Sequence, residues 1–252
     1  LGFGKWAGVV GAYNAFLTWG KKTGKFNLPA AYEVNDYEES IQLLAGLELG
    51  KARVVFTGNG RVAEGIREVL EGMKIRECSP QEFISQPSRG AHFTQLTSWD
   101  LYHRKDGGKW NQDHFYAHHD AYCCEFDNFL PYTDILINGM YWEEDLPALF
   151  TKSDTKSDNF SIKVIALSDT TGVSNPENIS QLFSKLIPEF PDLEIGAHLH
   201  TTPDAWEEKV HAAVASGCTR FDAAIKGFGG CPMAADDLTG NLPTENLLSY
   251  FD

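Results

Sequence analysis

Apolar and polar positions along the first third of the chain alternate with the periods of helices and strands. Residues 5–19 carry small and apolar side chains on several sides, which predicts a buried helix. Residues 36–49 predict an amphipathic helix. The β-branched run at residues 52–57 predicts a buried parallel strand, followed by a helix at residues 61–73 and a strand at residues 74–78. This strand–helix–strand order is the unit of a doubly wound α/β sheet.

The rest of the chain returns to this alternation after a long polar segment. Residues 79–130 are polar, aromatic and irregular, and we expect an insertion there rather than regular α/β structure. Further elements are predicted in the order strand 133–138, strand 160–167, helix 178–187, strand 193–199, helix 204–216 and strand 219–223. The predicted fold class is therefore α/β with mostly parallel strands.

Composition limits the classes to which this protein can belong. The chain has 252 residues, 42% of them hydrophobic, which is enough for a sizeable core. Its apolar runs are far shorter than the roughly 20 residues that span a bilayer. The net charge of −14 argues against nucleic acid or a membrane surface as partner. Five cysteines without a CxxC pattern favour a reducing, cytoplasmic location, and exposed strand edges would favour a homo-oligomer.

A glycine-rich turn links the predicted strand at residues 52–57 to the helix that follows. Gly58, Gly60 and Ala63 fit the pattern G-x-G-x-x-A, which leaves room for a pyrophosphate at a helix N-terminus. The pattern predicts dinucleotide binding, and a tight turn without a ligand is the alternative. Glu77 is the nearest candidate for the acidic residue that binds the ribose.

Several ordered blocks resemble the lysine-forming saccharopine dehydrogenases and their alanine-dehydrogenase-like relatives; they are residues 3–12, 57–62, 136–142 and 149–151. The resemblance covers about residues 1–165 and implies NAD binding at Gly60 and Arg61, with Tyr141 beside the cofactor. An amino acid would then be the substrate. The catalytic lysine and histidine of that family lie in an N-terminal domain, and nothing in this sequence matches them.

The polar segment contains five histidines, which are His92, His103, His114, His118 and His119. We expect them to be surface or partly buried polar residues. A metal site on His114 and His118 is the alternative, because residues four apart share one face of a helix.

Polar side chains gather at the ends of the later predicted strands. His198 and His200 alternate along one strand, so both imidazoles lie on one face and can bind a divalent cation. A chance pair of polar residues is the alternative. Asp169 ends another strand, Cys231 lies in a glycine loop, and Asn241 follows with a carbonyl oxygen that a metal can bind. Polar groups at successive strand ends form the active site of a (β/α)₈ barrel.

These motifs, in this order and spacing, resemble 3-hydroxy-3-methylglutaryl-CoA lyase and, more loosely, its relatives among the barrel aldolases and carboxyltransferases. The resemblance implies that His198, His200 and Asn241 bind Mg²⁺ or Mn²⁺. It implies acid–base chemistry for the Cys231 thiol and a place near the reacting hydroxyl for Asp169. The substrate would be an acyl-CoA. The arginine–aspartate pair and the glutamate of that family are missing, and about three βα units cannot close a barrel.

Together the two resemblances predict a Rossmann-like, mostly parallel sheet over residues 1–166, followed by three βα units of an incomplete TIM-type barrel over residues 167–252. Residues 163–169 fit both patterns, so we expect one continuous sheet. The preferred interpretation is a composite of two incomplete enzyme fragments that retains NAD(H) binding. The alternatives are a metal-dependent carbon–carbon lyase completed by another chain, and a non-enzymatic product of fusion or assembly. The sequence leaves open whether the chain is an enzyme.

Overall fold

A computed structural model describes residues 4–85, 90–140, 146–151, 153–154, 164–169, 172–229 and 239–252. The chain divides into two compact units, Leu1–Ile162 and Lys163–Asp252. The predicted origin of residues 1–166 and 167–252 in two enzyme families stays a prediction, because compactness is not evidence of ancestry.

The first unit contains six helices and six strands among its described residues. The helices are α1 (Gly4–Thr23), α2 (Tyr37–Ala45), α3 (Arg61–Gly72), α4 (Pro80–Ser85), α5 (Ser98–Leu101) and α6 (Gln112–Ala117). The strands are β1 (Arg53–Thr57), β2 (Arg76–Glu77), β3 (His92–Leu96), β4 (Tyr102–Arg104), β5 (Tyr122–Cys124) and β6 (Ile135–Asn138). The predictions for α1, α2, α3, β1, β2 and β6 are confirmed, with ends that differ by a few residues.

Four of these strands form a parallel sheet in the order β2-β3-β1-β6. The sheet corrects the prediction for residues 79–130, because β3 lies within that segment and pairs along its length with β1. Its polar residues His92 and Thr94 hid the strand from the hydrophobic pattern, although both side chains are buried in the sheet. β3 also separates β1 from β2, so these two strands are not neighbours.

Helices α1 and α3 pack closely because each places a glycine at the crossing. A Cβ on Gly8 would lie 1.9 Å from the carbonyl oxygen of Val62, and a Cβ on Gly65 would lie 1.9 Å from that of Lys5. Larger residues would therefore force the helices apart. The core around this crossing contains Val9, Ala12, Phe16, Val54, Phe56, Ala63, Ile66, Val69 and Leu70.

The second unit is built around one long strand. Its strands are β7 (Val164–Asp169), β8 (Glu194–Thr201), β9 (Phe221–Asp222) and β10 (Gly240–Asn241), and its helices are α7 (Pro176–Glu189), α8 (Trp206–Ala215) and α9 (Thr244–Phe251). β8 pairs in parallel with β7 and β9 and antiparallel with β10. The core residues of α7, β8 and α8 form one cluster, which is Ile179, Phe183, Ile195, Ala197, Leu199, Ala212, Ala213 and Cys218.

The predicted α/β class with parallel strands is confirmed, whereas the expected continuous sheet is wrong for the described residues. Their strands form separate sheets, one in each unit and a two-stranded pair, β4-β5. The physical reason is that each larger sheet buries its own apolar face against its own helices. No helix of the described residues is long and apolar enough to cross a membrane.

Candidate functional site

The structure brings together the three side chains predicted to bind a metal. His198 and His200 lie on β8, with their ring centroids 5.3 Å apart. Asn241 lies on β10, directly opposite His200 in the antiparallel pairing. Directly opposed residues place their side chains on the same face of a sheet. One face of β8 and β10 therefore carries two imidazoles and one amide.

The glycine loop that precedes Cys231 is fitted against Asn241. The side-chain nitrogen of Asn241 donates to the carbonyl oxygen of Phe228 at 2.9 Å, and its backbone N–H donates to that of Gly229 at 2.9 Å. Gly229 has a φ of +90°, and a Cβ there would lie 2.9 Å from the Asn241 amide nitrogen. These contacts leave the amide oxygen as the Asn241 atom that can bind a cation. Cys231 itself lies outside the described residues, so its predicted role is untested.

Burial sets the charge state of His198. The pKa of its imidazole is lowered overall, mainly because burial removes solvent. Nearby Asp222 raises this pKa, and His200 lowers it. Asp222 lies opposite His198 on β9, and its Oδ2 is 3.9 Å from the His198 Nδ1. The lowered pKa favours the neutral imidazole, which is the form that binds metals. The sequence analysis missed Asp222, because only the pairing of β9 with β8 brings it to His198.

Asp169, the predicted carboxylate, is held at the end of β7 by two neighbours. Its Oδ2 accepts the backbone N–H of Ser174 at 3.1 Å and the Ser174 hydroxyl. The same oxygen accepts the Lys209 ammonium at 3.2 Å. These three contacts all use Oδ2, and the described residues show no hydrogen bond to Oδ1. The sequence analysis also missed Lys209, because only the packing of α8 against β7 and β8 brings it to Asp169.

The donor set fits a divalent transition metal in its chemistry but does not complete a coordination shell. Imidazole nitrogens suit transition metals such as Zn²⁺, Fe²⁺ and Ni²⁺, whereas an amide oxygen also suits Mg²⁺ and Mn²⁺. Within the described ranges, no group of three or more His, Cys, Asp and Glu side chains is arranged to hold a metal ion. Two imidazoles and one amide are fewer ligands than the usual four to six.

The predicted dinucleotide turn of the first unit has the geometry that its glycines require. Gly58 has a φ of +92°, and a Cβ there would lie 2.7 Å from the carbonyl oxygen of Gly139. Gly60 is the N-cap of α3, and a Cβ there would meet no atom within 4 Å. Arg61 is exposed at the first position of the helix, while Ala63 is buried against the sheet. The turn therefore has open space at Gly60. Tyr141 lies outside the described residues.

An open groove of about 500 Å³ lies at the carboxyl ends of β2 and β3. Gln95 lines it and donates to the carbonyl oxygen of Gly58 at 2.6 Å. Glu77, the predicted ribose-binding acid, also lines the groove, but both its carboxylate oxygens accept hydrogen bonds from Arg67 at 2.7 and 2.9 Å. A ribose would therefore compete with Arg67 for this carboxylate.

The histidines of the polar segment show no metal site among the described residues. His92 and His119 are buried. The rings of His114 and His118 lie 4.8 Å apart, and the Nδ1 of His114 is 3.2 Å from the Tyr122 hydroxyl. A structural role for these residues is the simpler interpretation.

Comparisons with known proteins find relatives of two kinds. Residues 149–251 match the HMGL-like family model, so the C-terminal part of the chain carries an HMGL-like region. Over 84 residues the chain is 38% identical to hydroxymethylglutaryl-CoA lyase from Pseudomonas mevalonii, covering 33% of this chain and 28% of the relative. Over 180 residues it is 29% identical to mitochondrial alpha-aminoadipic semialdehyde synthase from Mus musculus, covering 62% of this chain and 19% of the relative.

The structural comparison is weaker than the sequence comparisons. Hydroxymethylglutaryl-CoA lyase from Pseudomonas aeruginosa superimposes with a TM-score of 0.40 and 15% identity, covering 96% of this chain and 77% of that one. So low a score is no evidence of a shared function. The chain spans less than a third of the length of either curated relative.

Proposed function

We propose that the second unit is the metal-binding part of a divalent-metal-dependent carbon–carbon lyase that acts on an acyl-CoA, with 3-hydroxy-3-methylglutaryl-CoA as the preferred substrate. The observation that carries this proposal is the grouping of His198, His200 and Asn241 on one face of β8 and β10. The HMGL-like match over residues 149–251 supports it, because this match contains all three residues.

The residues of this unit would divide the work of the reaction. A bound Mn²⁺ or Mg²⁺ would polarise the oxygens of the substrate. The imidazoles of His198 and His200 and the amide oxygen of Asn241 would hold that ion. Asp169, anchored through Oδ2, would present Oδ1 to the reacting hydroxyl. Cys231 would exchange a proton with the carbon that becomes the methyl group of acetyl-CoA.

A complete site needs residues from elsewhere. The chain covers 28% of the Pseudomonas mevalonii lyase, and the three parallel strands β7, β8 and β9 are fewer than the eight of a closed barrel. We propose that another chain, or further sequence of a longer protein, supplies the missing ligands. On this proposal, the chain alone binds the metal more weakly than a complete lyase and does not cleave the acyl-CoA.

Titration of the full chain with Mn²⁺, followed by the electron paramagnetic resonance signal of the unbound ion, tests the metal site. We expect one Mn²⁺ per chain, and we expect the binding to be lost in His198→Gln and His200→Gln. His211→Gln is the matched control, because this exposed histidine of α8 bonds to Tyr250 outside the site. Absence of Mn²⁺ binding, or equal loss of binding in the His211 variant, would show that the proposed site is wrong.

We propose as a second function that the first unit binds a dinucleotide, NAD(H), at the Gly58–Gly60 turn, as the resemblance to saccharopine dehydrogenase implies. The observation that favours it is the open space at Gly60 next to the N-terminus of α3. The alignment with the mouse synthase is consistent with such an origin. The composite of two incomplete enzymes therefore remains the interpretation of the whole chain.

The variant Gly60→Ala tests nucleotide binding without disturbing the fold. The added methyl group would meet no protein atom within 4 Å, so the chain should fold normally, while the methyl occupies space proposed for the pyrophosphate. We expect NADH fluorescence to change on addition of the unchanged chain and not on addition of Gly60→Ala. Gly11→Ala is the control, because its Cβ also meets no atom within 4 Å but lies on α1. If NADH binds Gly60→Ala as well as the control, the turn is structural.

A further inference from the structure

Lys209 occupies a position that is unfavourable for a lysine. It lies in the first turns of α8, where the helix dipole disfavours a positive charge. Only 4% of its surface is exposed, and a buried ammonium is costly unless it is fully paired and hydrogen-bonded. Its presence therefore needs a specific reason.

The contacts of the ammonium account for all three of its N–H donors. Nζ donates to the Oδ2 of Asp169 at 3.2 Å, to the carbonyl oxygen of Gly172 at 2.9 Å and to the carbonyl oxygen of His200 at 2.9 Å. A lysine ammonium has three donors and no acceptor. With three acceptors in place, Lys209 has no donor left for a substrate, so it is not a catalytic residue.

The three acceptors belong to two strands of the proposed site and to the loop that follows the first of them. Asp169 ends β7, Gly172 follows it in the next loop, and His200 lies near the end of β8. The ammonium thus ties the carboxylate that would face the reacting hydroxyl to the backbone of a proposed metal ligand. Moving the backbone of His200 moves its imidazole. Two of these bonds join α8 to a strand, one to Asp169 of β7 and one to His200 of β8. Only the bond to Asp169 is also an ion pair.

We propose that Lys209 is a positioning residue, which fixes the Asp169 carboxylate and the His200 ligand relative to each other. This inference rests on the proposed metal site. Lys209 differs from the ligands because it would touch neither the metal nor the substrate. Its removal should weaken metal binding through the displacement of His200.

The first test measures Mn²⁺ binding to the full-length chain with Lys209→Met, a change that keeps most of the side-chain volume. We expect its dissociation constant to rise by roughly 10- to 100-fold, the range typical when a group supporting a metal ligand is removed. Lys209→Arg keeps a cation with several donors and should retain most of the affinity. Lys185→Met, on an exposed lysine of α7, is the matched control and should bind Mn²⁺ as the unchanged chain does.

A purely structural role gives a different result. If Lys209→Met lowers the unfolding midpoint but binds Mn²⁺ as tightly as Lys185→Met well below that midpoint, the proposal is wrong. If Lys209→Met does not fold, the double variant Lys209→Met/Asp169→Asn replaces it, because it leaves no unpaired charge in the buried site. This double variant should still bind Mn²⁺ weakly, and unchanged affinity would overturn the proposal.

The second test needs no metal. The backbone N–H of Ser174 donates to the Asp169 Oδ2 that Lys209 holds, so its hydrogen exchange reports the position of that carboxylate. We expect exchange at Ser174 to be faster in Lys209→Met than in Lys185→Met, and unchanged exchange would refute the positioning role. If the unchanged chain binds no Mn²⁺, the proposed function fails, and this measurement still decides the role of Lys209.

Discussion

Replacing Gly65 with alanine should separate α3, the helix that follows the glycine turn, from α1. The new Cβ would lie 1.9 Å from the carbonyl oxygen of Lys5, whereas a carbon and an oxygen in contact lie about 3.3 Å apart. The obstacle is backbone, and the reciprocal contact of Gly8 with Val62 prevents the helices from sliding past each other. Overpacking of a core costs about 1–3 kcal/mol, and the better helix propensity of alanine offsets about 1 kcal/mol. Because the obstacle is backbone, we take the upper end of this range, about 3 kcal/mol, and expect a net loss of about 2 kcal/mol in the free energy of unfolding.

Urea denaturation followed by tryptophan fluorescence measures this loss, because most of the tryptophans lie in the first unit. The matched control is Gly11→Ala on α1, the helix that α3 packs against, because its Cβ meets no atom within 4 Å. This control should be unchanged or more stable by up to about 1 kcal/mol. If Gly65→Ala is as stable as Gly11→Ala, then α1 and α3 do not approach through their glycines, and our account of the core is wrong.

Two further predictions concern local contacts. Asn175→Ala removes the N-cap of α7, because the Asn175 side chain accepts the backbone N–H of Asn178 at 3.0 Å. Urea denaturation should show a free energy of unfolding lower by about 1 kcal/mol. The control is Gln181→Ala, at an exposed position of α7, and equal stability of the two variants would contradict the prediction. Burial raises the pKa of the Cys78 and Cys124 thiols from 9.0 to about 11. Because the unfolded thiols ionise at lower pH than the folded ones, their contribution to stability is full below about pH 9 and is lost as the pH rises towards 11. Urea denaturation between pH 8 and 10 measures this for the unchanged chain and for Cys78→Ser. The free energy of unfolding should fall less with pH in Cys78→Ser, and an equal fall in both would refute the prediction.

Regular apolar patterns predicted the elements that bury an apolar face. α1, α3, β1 and β8 were found close to their predicted limits, because each has a hydrophobic period that matches its secondary structure. β3 was missed, because its buried His92 and Thr94 look polar in the sequence. Its strand identity depends on two neighbours, β1 and β2, that pair with it across the sheet.

The candidate site shows the same limit. Alternation along a strand was enough to place His198 and His200 on one face, and the structure adds that Asn241 lies opposite His200. Asp222 and Lys209 could not be found in this way, because β9 and α8 bring them to the site from other parts of the chain. A charged residue in the sequence carries no sign of whether it will be buried.

The sequence by itself therefore determined the α/β class, the glycine turn and the residue types proposed for a metal site, because these depend on local spacing and on side-chain chemistry. Only the tertiary structure decided the strand order β2-β3-β1-β6, the separate sheets and the burial of Lys209 against Asp169 and His200. The physical reason is that pairing, burial and ion contacts are set between residues far apart in the chain. Local propensity constrains those residues separately and does not specify which of them meet.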